Sequence, residues 1–150
     1  MRREDGYMRR VGSVVAGAVS LVVGLAGPAW AGQVDSAEAQ ASWADSAHIS
    51  FTWADRNYFH SGRLTVSDNT CDARVAYAKV WIRLGNGQEF NLGEKYNRGE
   101  CKSTITFRNV GYKNAEGIQR VWLEICRQVK WGGDQCENGK YFASNPYYRP

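Results

Sequence analysis

Apolar and polar residues alternate with a period of two along most of the chain after residue 47. Ile49, Phe51 and Trp53 alternate with polar neighbours, and Leu64 and Val66 repeat the pattern a few residues later. Alternation of this kind is typical of a β-strand that buries one face. The sequence therefore predicts the first two strands over 48–53 and 64–66.

Further strands are expected downstream, each bounded by Gly, Asn or Asp turn residues. Gly85-Asn86-Gly87 predicts a hairpin turn between two of them, and Gly132-Gly133-Asp134 predicts the last hairpin turn. A total of about six or seven short strands, with no convincing long helix, indicates an all-β domain, a small antiparallel β-sandwich or barrel. These later strands are predicted over 74–84, 88–92, 102–110, 118–131 and 140–142.

Residues 32–47 precede this pattern and are polar and rich in alanine. Asp35 and Glu38 have the spacing of a helix-capping start. The segment is predicted as a short polar N-terminal arm, and a short helix, a partner-binding arm and a loosely held terminus are the three alternatives for its conformation. The β domain is accordingly expected to span 48–150.

The first 31 residues have the three parts of a secretory signal peptide. Four arginines precede an apolar run from Val11 to Leu25, and Ala29-Trp30-Ala31 supplies a small-residue cleavage site. The alternative, a membrane anchor, is disfavoured because the run is shorter than the roughly 20 residues that a spanning helix needs. We expect cleavage after Ala31 and a secreted, extracellular mature protein without a membrane span.

Net charge gives no reason to expect a nucleic-acid partner. The four arginines, Glu4 and Asp5 of the leader carry +2 of the formal net charge of +4, so residues 32–150 keep +2. Nucleic-acid binding by a small domain requires a clustered basic face, and the mature chain is only mildly basic.

All four cysteines follow the leader, and an even count in a small exported domain predicts two disulfides with three possible connectivities. Cys126 and Cys136 lie about equally far from the last predicted turn, where cross-strand neighbours come within bridging distance. We therefore favour Cys126–Cys136, which leaves Cys71–Cys101. No cysteine pair or histidine has zinc-site spacing, so neither a metal nor a cofactor is expected.

Residues 79–84 and 120–125 share one pattern: cation, Val, Trp, aliphatic, charge, aliphatic. The aliphatic residues of each strand would face a shared core, so the opposite faces would carry the aromatic and charged residues. If the strands are neighbours, two indoles and several charges share a solvent-side face of the composition that dominates binding hot spots. The alternative is that a cation stem or the arm simply covers the tryptophans. The candidate binding residues are Tyr77, Lys79, Trp81, Arg83, Arg120, Trp122 and Glu124.

The two histidines, His48 and His60, are the candidates for acid–base chemistry, with Asp55 or Glu89 as a carboxylate partner. Nothing in the sequence places these groups together, and we favour surface or packing roles for both histidines. Nucleophile motifs are also missing, since there is no G-x-S-x-G and the cysteines are expected to be oxidised. No catalytic residue and no enzymatic activity are therefore predicted.

In layout the chain resembles the small adaptor subunit of the umbrella toxin particles secreted by filamentous actinobacteria. The shared features are an alanine-rich leader ending in Ala29-Trp30-Ala31, a short polar arm over 32–47 and a small β domain. The resemblance implies that the arm inserts into a cleft of a larger lectin-bearing subunit and that the domain bridges to the toxin-carrying chain. It assigns a role to no individual residue.

The expected function is that of a secreted, non-catalytic binding module, an adaptor or interaction subunit of an extracellular toxin complex, with other secreted proteins as partners. One alternative is a carbohydrate- or cell-wall-binding module that uses the same tryptophans as stacking platforms for polysaccharide. The other is a small secreted hydrolase or nuclease that uses His48 or His60.

Overall fold

A computed structural model describes residues 32–149 of the chain, and the predicted signal peptide over 1–31 lies outside them. The described part contains nine β-strands and has no helix long and apolar enough to cross a membrane. The strands are β1 (Gln33–Gln40), β2 (Ser46–Asp55), β3 (Tyr58–Asp68), β4 (Ala76–Leu84), β5 (Glu89–Tyr96), β6 (Ser103–Lys113), β7 (Ile118–Arg127), β8 (Gln135–Asn138) and β9 (Ala143–Ser144).

The strands form two antiparallel sheets, and the predicted all-β, sandwich-like fold is confirmed. Sheet A has the order β1-β2-β3-β6, and sheet B has the order β5-β4-β7-β8, with β9 also paired to β7. Alternate residues of each strand point between the sheets, as the period of two requires. The largest buried side chains of sheet A are Phe51, Trp53 and Phe59, whose rings pack edge-on or tilted at centroid distances of 4.8–5.7 Å.

The structure corrects the expected arm over 32–47. Residues Gln33–Gln40 pair with β2 along their whole length and form an edge strand of sheet A. Ala37 and Ala39 point into the core with 1% and 2% of their surface exposed. Alternation is therefore present here too, but alanine is a weak strand former with a small side chain, so the sequence signal is faint.

The last predicted strand also differs from the structure. The strand after β7 is β8 rather than 140–142, and Tyr141 makes only an isolated bridge to Glu38. The strand predicted over 118–131 stops at Arg127, because the backbone N–H of Val129 donates to the side chain of Asp134 instead of joining a ladder. The chain end then returns to β7 as the short strand β9.

Both predicted disulfides are confirmed. Cys126 and Cys136 are directly opposite each other on β7 and β8, and their bond closes the last hairpin. Cys71 and Cys101 join the segment before β4 to the segment before β6, across 30 residues of sequence. Both segments are crossovers between the sheets, so the second bond ties together two of the connections between sheet A and sheet B and lowers the conformational entropy of the unfolded chain.

The two sheets are also joined along the β1 side of the molecule. The backbone N–H of Glu38 donates to the carbonyl of Tyr141 at 3.4 Å, and the backbone N–H of Ser42 donates to the Glu137 carboxylate at 3.1 Å. A Cβ at Gly139 would overlap the carbonyl oxygen of Glu38. Only glycine allows this close approach between β1 and the chain after β8.

We predict that Gly139→Ala lowers the free energy of unfolding by about 1–3 kcal/mol, because the added methyl group overpacks a backbone contact. The amides of β1 should also exchange faster with solvent, since the contact holds this edge strand. The control is Gly87→Ala, where a Cβ meets nothing within 4 Å and the φ of +85° alone imposes a cost. Unchanged exchange in β1 of Gly139→Ala would contradict the prediction.

Candidate functional site

Strands β4 and β7 lie side by side, which brings the two similar sequence segments into direct opposition. Their register places Lys79 opposite Glu124, Trp81 opposite Trp122 and Arg83 opposite Arg120. These pairs point away from the core and form the centre of the outer face of sheet B. The intervening aliphatic side chains are buried between the sheets: Val80, Ile82, Leu84, Val121, Leu123 and Ile125.

The two indoles at the centre of this face stack on each other. Their ring centroids are 5.9 Å apart and their planes differ by 11°. Both tryptophans are half-buried, and the indole N–H of Trp81 donates to a carboxylate oxygen of Glu124 at 3.3 Å. This separation is that of an offset stack, so each indole covers part of one ring face of the other.

Lys79 and Glu124 form an ion pair next to the stacked indoles. The Lys79 ammonium is 3.1 Å from Glu124 Oε2, and the two side chains are only 19% and 17% exposed. The same oxygen accepts the Trp81 hydrogen bond, so one carboxylate fixes both a cation and an indole. A partly desolvated pair of this kind is held more firmly than an exposed surface pair.

At the other end of the face, Arg83 and Arg120 are direct cross-strand neighbours. Like charges in this position repel each other. Arg83 is 3.8 Å from the Glu89 carboxylate, while the Arg120 guanidinium lies 3.9 Å from the ring centroid of Phe142. Among residues 32–149 no carboxylate pairs with Arg120, so this end of the face keeps a positive charge beside the half-exposed Phe142.

Tyr77 is a member of the predicted site that a partner cannot reach. It is 2% exposed, because Tyr96 stacks on its ring at 4.7 Å and the loop after β7 covers its hydroxyl. That hydroxyl donates to Asp134 Oδ2 at 2.7 Å. Burial, followed by this hydrogen bond, raises the pKa of Tyr77 well above its usual value.

Phe142 belongs to the outer face of sheet B, although it is not among the candidate binding residues expected from the sequence. It is 49% exposed and reaches Arg120 because β9 folds back beside β7. No periodicity in the tail indicates this return. The Arg-aromatic contact is a tertiary feature that only the pairing of β9 creates.

The structure does not bring together the groups considered for acid–base catalysis, namely the two histidines and the carboxylates of Asp55 and Glu89. His48 is exposed on sheet A opposite Glu38, with no hydrogen bond between them among the described residues. His60 contacts the Ser61 hydroxyl at 2.7 Å and packs on Tyr58. The Asp55 carboxylate accepts the backbone N–H of Asn57 at 2.6 Å, and Glu89 lies in the other sheet.

One group of potential metal ligands occurs in the part of the chain that the structure describes, formed by Glu124, Cys126 and Cys136. The two sulfur atoms are bonded to each other. A disulfide sulfur is not a thiolate and does not bind a metal as one. The Glu124 carboxylate is already engaged by Lys79 and Trp81, so this group is structural.

We predict that Tyr77→Phe lowers the free energy of unfolding by about 1.5–3 kcal/mol at pH 7, because a hydrogen bond to a carboxylate is lost. The pKa in the folded state lies above the ordinary value of 10.0, so the stabilisation is present below pH 10 and is lost as the pH rises towards the folded-state value. Denaturant titrations between pH 7 and 11 should therefore show the difference between the two proteins shrinking above pH 10. A difference that grows above pH 10 would contradict this assignment.

We predict that the indole stack contributes about 0.5–1.5 kcal/mol beyond the burial of each ring. In a double-mutant cycle, Trp81→Ala with Trp122→Ala should then destabilise by that much less than the sum of the single variants. The control cycle pairs Trp81→Ala with Trp131→Ala, because Trp131 is 89% exposed in the loop after β7. There the single effects should add to within about 0.5 kcal/mol.

Comparison with protein-family models and with curated proteins gives no match to this chain.

Proposed function

We propose that this protein is a secreted, non-catalytic interaction module, the adaptor subunit of an extracellular protein complex, and that it docks a protein partner on the outer face of sheet B. The observation that supports this most directly is the stacked pair Trp81 and Trp122 beside the cross-strand arginines Arg83 and Arg120. Tryptophan and arginine are the residues most enriched in binding hot spots.

The geometry of the face suits a protein surface better than a flat ligand. The indoles stack on each other and are half-buried, while Phe142 adds an apolar ring at the periphery. Burying the remaining exposed area of these three rings would supply the apolar centre of an interface. Lys79 and Glu124 are already paired, so they add no uncompensated charge to that centre.

Charge at the arginine end favours a partner that presents carboxylates. Arg83 and Arg120 repel each other across the strands, and Arg120 has an aromatic ring as its neighbour rather than an anion. A carboxylate between the two guanidiniums would relieve this repulsion and accept hydrogen bonds from both. We therefore expect the partner's contact surface to contain Asp or Glu at this position.

The extracellular setting is supported by the two disulfides, which are typical of exported proteins. The resemblance to a toxin-particle adaptor supports the same class of function. In that layout the N-terminal arm is the inserted element, whereas Gln33–Gln40 are paired here as β1. We therefore assign docking to the outer face of sheet B rather than to the N-terminal segment.

The test is affinity purification of the tagged, exported protein from its native culture medium, followed by mass spectrometry. We predict that a secreted protein co-purifies in stoichiometric amounts and that Arg83→Glu with Phe142→Ala weakens its binding by about 30-fold or more, as expected for hot-spot residues. Both positions are substantially exposed, so the fold should tolerate the changes.

The matched control is Arg63→Glu, the same charge reversal at an exposed position of β3 in sheet A. It should leave the partner bound. Recovery of the protein alone would overturn the adaptor function, and equal loss of the partner in Arg63→Glu would overturn the choice of surface.

A further inference from the structure

The loop between β7 and β8 carries an indole that nothing covers. Trp131 is 89% exposed, the highest value among the large hydrophobic side chains of the described chain. The hydrophobic effect favours removal of so large an apolar surface from water. An exposed indole beside a cavity is therefore a candidate contact for a ligand.

This loop is held in place rather than loose at its base. The backbone N–H of Gln128 donates to the carbonyl of Val75 at 3.0 Å, and that of Val129 donates to Asp134 Oδ1 at 3.2 Å. The Cys126–Cys136 bond closes the hairpin just below. The base of the loop is thus fixed before any ligand arrives, which reduces the entropy lost on binding.

A cavity of about 670 Å³ lies next to this indole. Its volume falls within the range of small-molecule sites, about 300–1,000 Å³. We call it the β7–β8 cleft, and its polar and aromatic lining consists of Asp72, Arg74, Gln128, Lys130, Trp131 and Asp134. Side chains that donate hydrogen bonds and side chains that accept them therefore line the same cleft as one exposed aromatic ring.

The acidic groups of the cleft already have partners. Asp72 Oδ2 is 3.2 Å from an Arg127 nitrogen and 3.7 Å from Arg74 Nε. Asp134 accepts hydrogen bonds from the Tyr77 hydroxyl and from the backbone of Val129. Two acidic and two basic side chains line the cleft, so it has no excess charge that would select an ion.

We propose that the β7–β8 cleft binds a neutral saccharide, with Trp131 as the stacking platform. A sugar ring has an apolar C–H face and a rim of hydroxyl groups that both donate and accept hydrogen bonds. The negative face of the indole attracts the C–H face. Carboxylate oxygens of Asp72 and Asp134, which keep free lone pairs, and donors on Arg74 and Gln128 suit the hydroxyl rim.

Trp131 is a better sugar platform than Trp81 or Trp122. Each of those two indoles partly covers one ring face of the other, and both are half-buried. Trp131 has neither restriction. An anionic membrane is disfavoured as the ligand because the cleft has equal numbers of acidic and basic side chains and so lacks the excess of Lys and Arg that an anionic surface attracts.

The site is independent of the proposed protein-docking function. Its lining residues differ from those of the outer face of sheet B, so either function can fail alone. A protein with both would link an extracellular complex to a polysaccharide surface.

The experiment uses the full exported protein in native gels that contain laminarin, mannan, xylan or glycol chitin, together with co-sedimentation on insoluble chitin, cellulose and peptidoglycan. We expect retardation or sedimentation with at least one of these probes. Trp131→Ala should weaken that binding by about tenfold or more, and Trp131→Tyr should retain part of it because a ring remains. These changes should be tolerated because the side chain is almost fully exposed.

Tyr141→Ala is the matched control, because Tyr141 is another exposed aromatic side chain, at 64%, outside the cleft. It should bind as the wild type does. Binding to none of the probes would overturn the proposal, as would binding that Trp131→Ala leaves unchanged. Sedimentation with phosphatidylglycerol vesicles, lost in Trp131→Ala and without polysaccharide binding, would assign the loop to a membrane instead. Co-purification of a secreted protein with the Trp131→Ala variant would show that protein docking does not require Trp131.

Discussion

The register between β4 and β7 is the constraint on which the rest of the structure depends. Side chains alternate between the two faces of a strand, so a slip by one residue would exchange the buried and the solvent-side sets. The observed register places Val80 and Leu123 in the core and pairs Trp81 with Trp122 outside it. It also sets Cys126 beside Tyr77, from where the disulfide to β8 can form. Core, candidate face and hairpin closure therefore follow from one alignment.

Tyr77 connects the two surfaces for which functions are proposed. Its ring packs under Tyr96 on sheet B, and its hydroxyl holds Asp134 at the rim of the β7–β8 cleft. Asp134 in turn accepts the N–H of Val129 and so fixes the loop that carries Trp131. A buried tyrosine that keeps its proton is a neutral, directional donor, which suits this positioning role better than a charged side chain would.

The period of two predicted the all-β class and, together with the turn residues, the disulfide across the last hairpin. It also assigned the residues of β4 and β7 to inner and outer faces, but that the two strands are neighbours is shown only by the structure. This pattern did not predict β1, where the inward side chains are alanines. It also did not predict the burial of Tyr77, which depends on residues distant in the sequence. Ala37 and Ala39 alternate correctly in β1, but alanine does not distinguish a strand from a capped helix. Tyr77 was expected to be exposed, and its burial results from Tyr96 and Asp134, which reach it only through tertiary pairing.

The two outer faces of the same sandwich provide an internal comparison. The outer face of sheet A carries short hydroxyl side chains, such as Ser50, Thr65 and Thr104, interspersed with the exposed His48 and Arg63. Sheet B has the same antiparallel architecture, yet its outer face carries stacked indoles and like-charged guanidiniums. The indole stack itself stabilises the fold, but Phe142 leaves about half of its surface in water and no carboxylate among residues 32–149 pairs with Arg120. Under the docking function proposed above, a partner that covers Phe142 and presents a carboxylate to Arg120 would satisfy both groups.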